Sequence, residues 1–405
     1  MRSVVFVAPF FLETTLRFVR AAARPDVRLG LVSQQPLEQL PADLRPRLAG
    51  HWRVDNALDP RHLANAARGL AGQIGQPERM IGVLEHLQVP LAEAREALGI
   101  PGLGVEAAKN FRDKDRMKKV LSDAGLPCAR HRLVSDAASA RAFAAEIGFP
   151  LVAKPPAGAG AAGTYRLDDG PALDQALAML RPSPARPTLL EEFLTGEEFS
   201  FESVFVRGEP VWCSLTRYLP TPLDVLRNPW IQWCVLLPRE VDHPRFDDIR
   251  RVGFRAVKTL GLETGLSHME WFRLAGDRIA ISEVGARPPG AQMTPLTSWA
   301  HSFDLYEAWA RLMIFDRFAP PERRYAAGAA FLRGQGRGRV KAVRGLRELQ
   351  RELGELVVDH NLPRAGQAPS SSYEGDGFII VRHPQTSVVE KALARIVSTI
   401  RVELG

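Results

Sequence analysis

One lysine sits where lysines are costly. Lys154 lies inside the apolar run FPLVAKPP (149–156), and an ammonium there is unfavourable unless an anion meets it. Directly after it comes AGAGAAG (157–163), in which Gly158, Gly160 and Gly163 spell G-x-G-x-x-G. A dinucleotide turn of that spelling needs a helix immediately behind it. Here TYRLDDG follows, which reads as a short strand (164–167) and a turn. Small residues let a backbone close over phosphates and aim its N–H groups at them. The segment 154–163 therefore reads as a hairpin covering a nucleoside triphosphate, with an ordinary flexible turn as the plainer alternative.

A second constellation is SHMEWFRL–AGDR–IAISEVGAR (267–287). A four-residue turn at 275–278 pairs Leu274 with Ile279, Phe272 with Ile281, Glu270 with Glu283 and His268 with Gly285. Side chains alternate along a strand, so His268, Glu270 and Phe272 share a face. Opposed residues have Cβ atoms about 5 Å apart, and like charges there are unfavourable. A hard cation between the two carboxylates resolves the conflict, and magnesium bridging phosphate oxygens is the natural candidate. The plainer alternative is a surface hairpin whose glutamates splay into water. Arg287, two positions beyond Gly285, is placed to clamp a phosphate or a substrate carboxylate.

The elements that must position these residues can be read in order. Strands at 3–8, 29–32 and 80–84 alternate with helices at 11–23 and 62–74, which predicts an open α/β sheet to about residue 108. A basic helix spans 110–124, and another spans 136–147, capped by Ser135 or Asp136. Strands follow at 188–194 and 198–206, then a proline-rich loop over the site at 219–230, then a helix at 246–260. After the glutamate hairpin come a helix at 301–315 and the linker FAPPERR (318–324). Short strands at 327–332, 337–343, 355–359 and 377–382 and a helix at 386–399 close the chain.

Composition narrows the class. The 405 residues allow two to four domains. Apolar residues make up 45% and charged residues 24%, which excludes disorder and a fibrous chain. No run of about 18 apolar residues occurs, so no membrane span is expected. The N-terminal apolar run is cut by Glu13 and Arg17 and reads as strand and helix, not as a secretion signal. Three scattered cysteines, Cys128, Cys213 and Cys234, suggest a reduced, cytoplasmic chain without a disulfide framework or zinc site. The net charge of +7 rests almost wholly on arginine, because only eight of 53 basic residues are lysines. Four of those eight cluster at Lys109, Lys114, Lys118 and Lys119. The basic stretch RGQGRGRVKAVRG (333–345) lacks interleaved aromatics, so a solvated hairpin is favoured over a nucleic-acid surface.

Taken together, these segments resemble the ATP-grasp superfamily over about 109–316, and most of all its L-amino-acid ligases and related carboxylate–amine ligases. The resemblance implies an ATP-grasp fold of mixed α/β and α+β character. It has an N-terminal open α/β domain (1–108) and a small subdomain with the glycine loop (109–187). A metal-bearing subdomain (188–316) and a C-terminal small α+β domain (325–405) complete it. KNFRDKDRMKKVLSDAGLP looks like the family's leading helix, which makes Lys114 a second phosphate-binding lysine beside Lys154. LLEEFLTGEEFSFE resembles the adenine-binding hinge: Glu191 and the backbone around Phe193 and Leu194 would meet the adenine, and Glu198 the ribose. HMEWF and SEVGARPPG resemble the two metal-bearing strands, with Glu270 and Glu283 as ligands. Arg287 and His268, the latter from an H-x-E pattern, are then the catalytic candidates. One departure stands out: the family often has Asn at the place of Gly285, so a ligand is lost unless His268 or water replaces it.

The implied reaction uses ATP with Mg2+ or Mn2+ to activate a carboxylate, that of an amino acid, as an acyl phosphate that an amine attacks, releasing ADP and phosphate. The implied partners are those small molecules, with no nucleic acid and no membrane, and a homodimer is left open. The rival readings are a biotin-type carboxylase, suggested by GFIIVRHPQTSVVEKALARI (377–396), and a non-catalytic ATP-binding protein. Arg217 and Arg227 are further candidates for holding a substrate carboxylate.

Overall fold

The computed structural model describes residues 1–158, 163–228 and 230–405. The chain opens with a parallel sheet in the order Gly50–Arg53, Val27–Ser33, Arg2–Val7, Arg79–Ile81. The strand Arg2–Val7 is apolar and buried from Val4 to Val7 because both faces are covered there. Val4 and Phe6 pack towards Leu16, Val19 and Trp309, while Val5 and Val7 pack towards Leu63, Leu70 and Leu91.

A second, antiparallel sheet runs His131–Val134, Thr188–Glu192, Leu151–Lys154, Tyr165–Leu167. Helices Ala137–Ile147 and Gly170–Leu180 cover it, and Asp136 caps the first by accepting from the backbone N–H of Ser139. The largest sheet has eight antiparallel strands. Its order is Ile279–Gly285, Gly265–Leu274, Gly196–Val206, Glu209–Leu219, Trp233–Leu237, Ala326–Leu332, Gly377–His383, Val357–Asn361. Three of the six strands beyond the 318–324 linker, Ala326–Leu332, Gly377–His383 and Val357–Asn361, thus continue the sheet that carries the glutamate hairpin. Arg401–Leu404 pairs with Gly334–Gln335 and Val340–Arg344 in a fourth, three-stranded sheet.

Four local expectations are corrected. The basic helix 110–124 is two helices, Val105–Arg112 and Lys114–Asp123. Asp113 between them is extended, and its carboxylate accepts from the N–H groups of Asp115 and Arg116, starting a new helix. The helix placed at 301–315 begins at Leu305, capped by Asp304, and a separate helix Met293–His301 precedes it. The loop 219–230 contains a short helix, Pro222–Arg227, because Thr221 caps it and Pro222 suits its first turn. In the glutamate hairpin, Glu270 does oppose Glu283 and His268 does oppose Gly285, but Trp271 opposes Ile281 and Phe272 opposes Ala280. Gly276 and Asp277 turn through left-handed conformations, Arg273 pairs with Ile279, and a bulge at Ser282 absorbs the one-residue offset.

Candidate active site

A cavity of about 630 Å³ lies where the first three sheets meet. It is lined by Glu85 from the N-terminal region, Lys154 and Glu191 from the small sheet, and Glu198, Glu270 and Glu283 from the large one.

The small-sheet wall carries buried charge in pairs. Lys154 Nζ is 2.9 Å from Glu191 Oε2, and Lys118 Nζ is 3.4 Å from Glu191 Oε1. Burial works against the charge on Glu191, but the two lysines outweigh it and hold its pKa below the usual carboxylate range. Burial likewise opposes the Lys154 charge, and Glu191 with Glu283 outweighs it, so its pKa is raised. Lys118 is fully buried and burial wins there, lowering its pKa. Its Nζ also donates to the Ser282 carbonyl at 2.9 Å, the group that the bulge turns out of the ladder.

The described residues on either side of 159–162, Gly158 and Gly163, lie near this wall, and the hairpin expected between them falls outside the described residues. Gly158 lines the cavity, and its carbonyl accepts from Arg112 Nη1 at 2.8 Å and Lys114 Nζ at 3.3 Å. Gly163 is left-handed, with φ +72°, and a Cβ there would press on Pro155. Gly160 lies outside the described residues. Phe193 and Leu194 line the cavity; the Arg166 guanidinium stands 4.3 Å from the Phe193 ring centroid, and the Phe193 N–H donates to the Pro150 carbonyl.

The opposite wall is acidic. Lys114 Nζ approaches Glu283 Oε1 at 2.8 Å. Burial would raise the Glu283 pKa, but Lys114 and Lys154 outweigh it and bring it down to about 2. Glu198 has no such partner among the described residues: burial, Glu270 and Asp224 push its pKa well up. His268 Nδ1 lies 2.8 Å from Glu202 Oε1, and its Nε2 lies 3.7 Å from Glu270 Oε1. Burial would lower the imidazole pKa, yet the hydrogen bond to Glu202 and the nearby Glu270 carboxylate raise it to about 9.

Arg287 Nε donates to Glu85 Oε2 at 2.6 Å. A Cβ at Gly285 would stand 3.3 Å from that same Oε2 and 3.7 Å from Arg287 Cγ. Where the family often has Asn, this chain therefore places the Glu85–Arg287 pair. Burial opposes the Arg287 charge, and Glu85 outweighs it.

All the described candidates from Lys114 to Arg287 except Gly163 line this one cavity. Arg217 and Arg227 are not among its lining residues: Arg217 pairs with Glu197, and Arg227 with Asp168 at 3.2 Å. Sequence reasoning missed Glu85, Lys118 and Glu202 as members of the site. Each carried a signal. Glu85 follows the carboxyl end of the Arg79–Ile81 strand, where open α/β sheets bind ligands. Lys118 lies one helical turn after Lys114, and Glu202 shares a strand face with Ser200 and Glu198.

Among the described residues, no group of three or more His, Cys, Asp or Glu side chains is placed to hold a metal alone. The opposed Glu270 and Glu283 do fit magnesium, which is commonly held by one or two carboxylates together with substrate phosphates. No helix among the described residues is long and apolar enough to cross a membrane.

Residues 119–300 match the ATP-grasp domain family, and the chain carries that domain and its fold. The chain is 27% identical over 259 residues to the carbamoyl phosphate synthase large chain of Streptomyces avermitilis, covering 61% of this chain and 22% of that one. It is 26% identical over 249 residues to alanine–anticapsin ligase of Bacillus subtilis, covering 57% of this chain and 52% of that one. The chain thus spans less than two thirds of those relatives' length. An L-amino acid ligase structure from Bacillus licheniformis superposes with a TM-score of 0.78 at 18% identity, covering 100% of this chain and 99% of that one.

Proposed function

We propose that the protein is an ADP-forming carboxylate–amine ligase. A substrate carboxylate oxygen attacks the terminal phosphorus of ATP, and ADP leaves. The amine nitrogen then attacks the acyl carbon, losing a proton as the C–N bond forms and phosphate departs. The carrying observation is the opposed Glu270–Glu283 pair facing Lys114, Lys154 and Arg287 across one cavity. Phosphoryl transfer gathers negative charge, and preorganised cations are the main catalytic resource for it.

In this reading Lys114, Lys154 and the Gly158–Gly163 hairpin take the phosphates, Phe193 and Leu194 flank the adenine, and Glu198 receives the ribose. Glu191 keeps Lys154 charged and aimed. Arg287 neutralises the carboxylate or its acyl phosphate. Glu270 and Glu283 would hold magnesium, which supplies charge neutralisation on the phosphate oxygens. The substrate class is an amino acid, a reading supported by the similarity to alanine–anticapsin ligase. Bicarbonate as the carboxylate is the second reading, favoured by the similarity to carbamoyl phosphate synthase.

The test is a phosphate-release screen over amino-acid pairs, with bicarbonate as a separate arm, read by product mass and nucleotide separation. ADP, phosphate and a dipeptide-mass product are expected. Hydroxylamine in place of the amine should trap the activated acid as a hydroxamate. Stoichiometric AMP and pyrophosphate overturns the proposal.

A further inference from the structure

Glu202 is a buried carboxylate that the proposed chemistry does not use. It is 2% exposed, lies on the large sheet's central strand Gly196–Val206, and is not among the residues that line the cavity. A carboxylate at such a place is expensive unless it is fully engaged. Glu202 is engaged: Oε1 accepts from Ser200 Oγ at 2.6 Å and faces His268 Nδ1 at 2.8 Å, and Oε2 accepts from Thr216 Oγ1 at 3.3 Å. Behind it lies Arg323, buried and donating to Ser214 Oγ; burial lowers its pKa to about 10, and Glu202 is the leading charge that opposes this. Arg323 has two further buried nitrogens without a partner among the described residues.

Register explains why Glu202 reaches the histidine. His268 is directly opposite Glu202 on one side and opposite Gly285 on the other. The glycine offers no side chain, so Glu202 is the imidazole's side-chain partner across the strands. Ser200, the residue opposite Glu270, bonds to Glu202 in turn. The imidazole is therefore held by one nitrogen and points the other, Nε2, at Glu270 Oε1. At 3.7 Å that approach is electrostatic and not a hydrogen bond.

We propose that Glu202 is a positioning residue: by accepting the Nδ1–H of His268 it aims Nε2 at Glu270 and fixes the orientation in which Glu270 holds a divalent cation. This inference rests on the reading that Glu270 and Glu283 share such a cation. Carboxylates that ligate metals are themselves hydrogen-bonded, and loss of such an outer partner commonly weakens metal binding by about 10- to 100-fold.

The test measures Mn2+ binding by electron paramagnetic resonance on the full chain, in the presence of a non-hydrolysable ATP analogue. Glu202→Ala should weaken Mn2+ binding by about 10- to 100-fold while leaving metal-free affinity for the analogue unchanged. Glu202→Gln keeps an acceptor for Nδ1–H and should recover most of the loss. In a His268→Asn background, Glu202→Ala should change Mn2+ affinity by less than about twofold, because the coupling runs through the imidazole. Wild-type Mn2+ affinity in folded Glu202→Ala, or an undiminished loss in the His268→Asn background, overturns the proposal. Should Glu202→Ala not fold, His268→Gln takes its place, and wild-type Mn2+ affinity there overturns it equally. Glu283→Gln separates the two readings: if it too binds Mn2+ like wild type, the metal assignment itself fails.

Discussion

The two walls of the cavity use buried charge in opposite ways. On the small-sheet side, Lys118 and Lys154 share one carboxylate, Glu191, leaving a wall with one surplus positive charge. On the large-sheet side, Glu198, Glu270 and Glu283 line the cavity, with Glu202 behind them; His268 lies between Glu202 and Glu270, and Lys114 reaches across to Glu283. The first wall is nearly satisfied within the protein and suits an anion. The second holds more negative charge than the fold neutralises, and Glu198 responds by a raised pKa. Such an imbalance is relieved either by proton uptake or by an outside cation. In the proposed reading, a triphosphate carrying a divalent cation would complement both walls, with the lysines meeting the phosphates and the glutamates holding the metal.

The largest expected effect comes from the acidic wall. Glu283→Gln removes one of the two opposed carboxylates and leaves Lys114 without its 2.8 Å partner. Turnover should fall by a hundredfold or more, in keeping with several kcal/mol of metal-dependent charge stabilisation, about 3 kcal/mol. Steady-state rates across a magnesium titration check this. A normal magnesium response would make the two walls equivalent and break the comparison.

The next effect comes from the basic wall. Lys154→Ala leaves Glu191 with Lys118 alone and removes a cation from the phosphate end. Hydrogen bonds to charged groups contribute about 1.5–3 kcal/mol, so ATP affinity should fall by roughly 10- to 100-fold, read by calorimetry on the folded variant. Unchanged affinity would show that Lys154 serves only to neutralise Glu191.

These walls differ also in how far the sequence revealed them. The lysine in an apolar strand and the opposed glutamates were legible because each violates a local rule: a charge in a buried run, and like charges across a ladder. Glu270 opposes Glu283 only because the Ser282 bulge cancels an offset at the turn, and no periodicity of two reports a bulge. The break at Asp113 was hidden for a related reason: Asp caps helices but is also tolerated within them. Glu85 and Glu202 obey their local patterns. Glu85 joins the site through the placement of the N-terminal sheet, and Glu202 through pairing between strands about sixty residues apart in sequence, neither of which a single segment encodes.

The smallest expected effect lies at the mouth, where charge is exposed. The strand Tyr165–Leu167 leaves the glycine hairpin, and the next residue, Asp168, accepts from Arg166 Nε at 2.7 Å and Arg227 Nη2 at 3.2 Å. Arg227 ends the short helix Pro222–Arg227, whose Pro222, Leu223 and Asp224 line the cavity. The Arg227–Asp168 pair thus ties the hairpin arm to the helix over the site. Its side chains are 43% and 48% exposed, and exposed pairs contribute about 0–1 kcal/mol and weaken with salt. Arg227→Ala should therefore raise the KM for ATP by less than about fivefold, leave kcat unchanged, and lose its effect at high salt. Rates at low and high ionic strength measure this. An effect of tenfold or more that survives high salt would place a functional charge at the mouth, and the division into a wet, weakly coupled rim and two buried, strongly coupled walls would no longer hold.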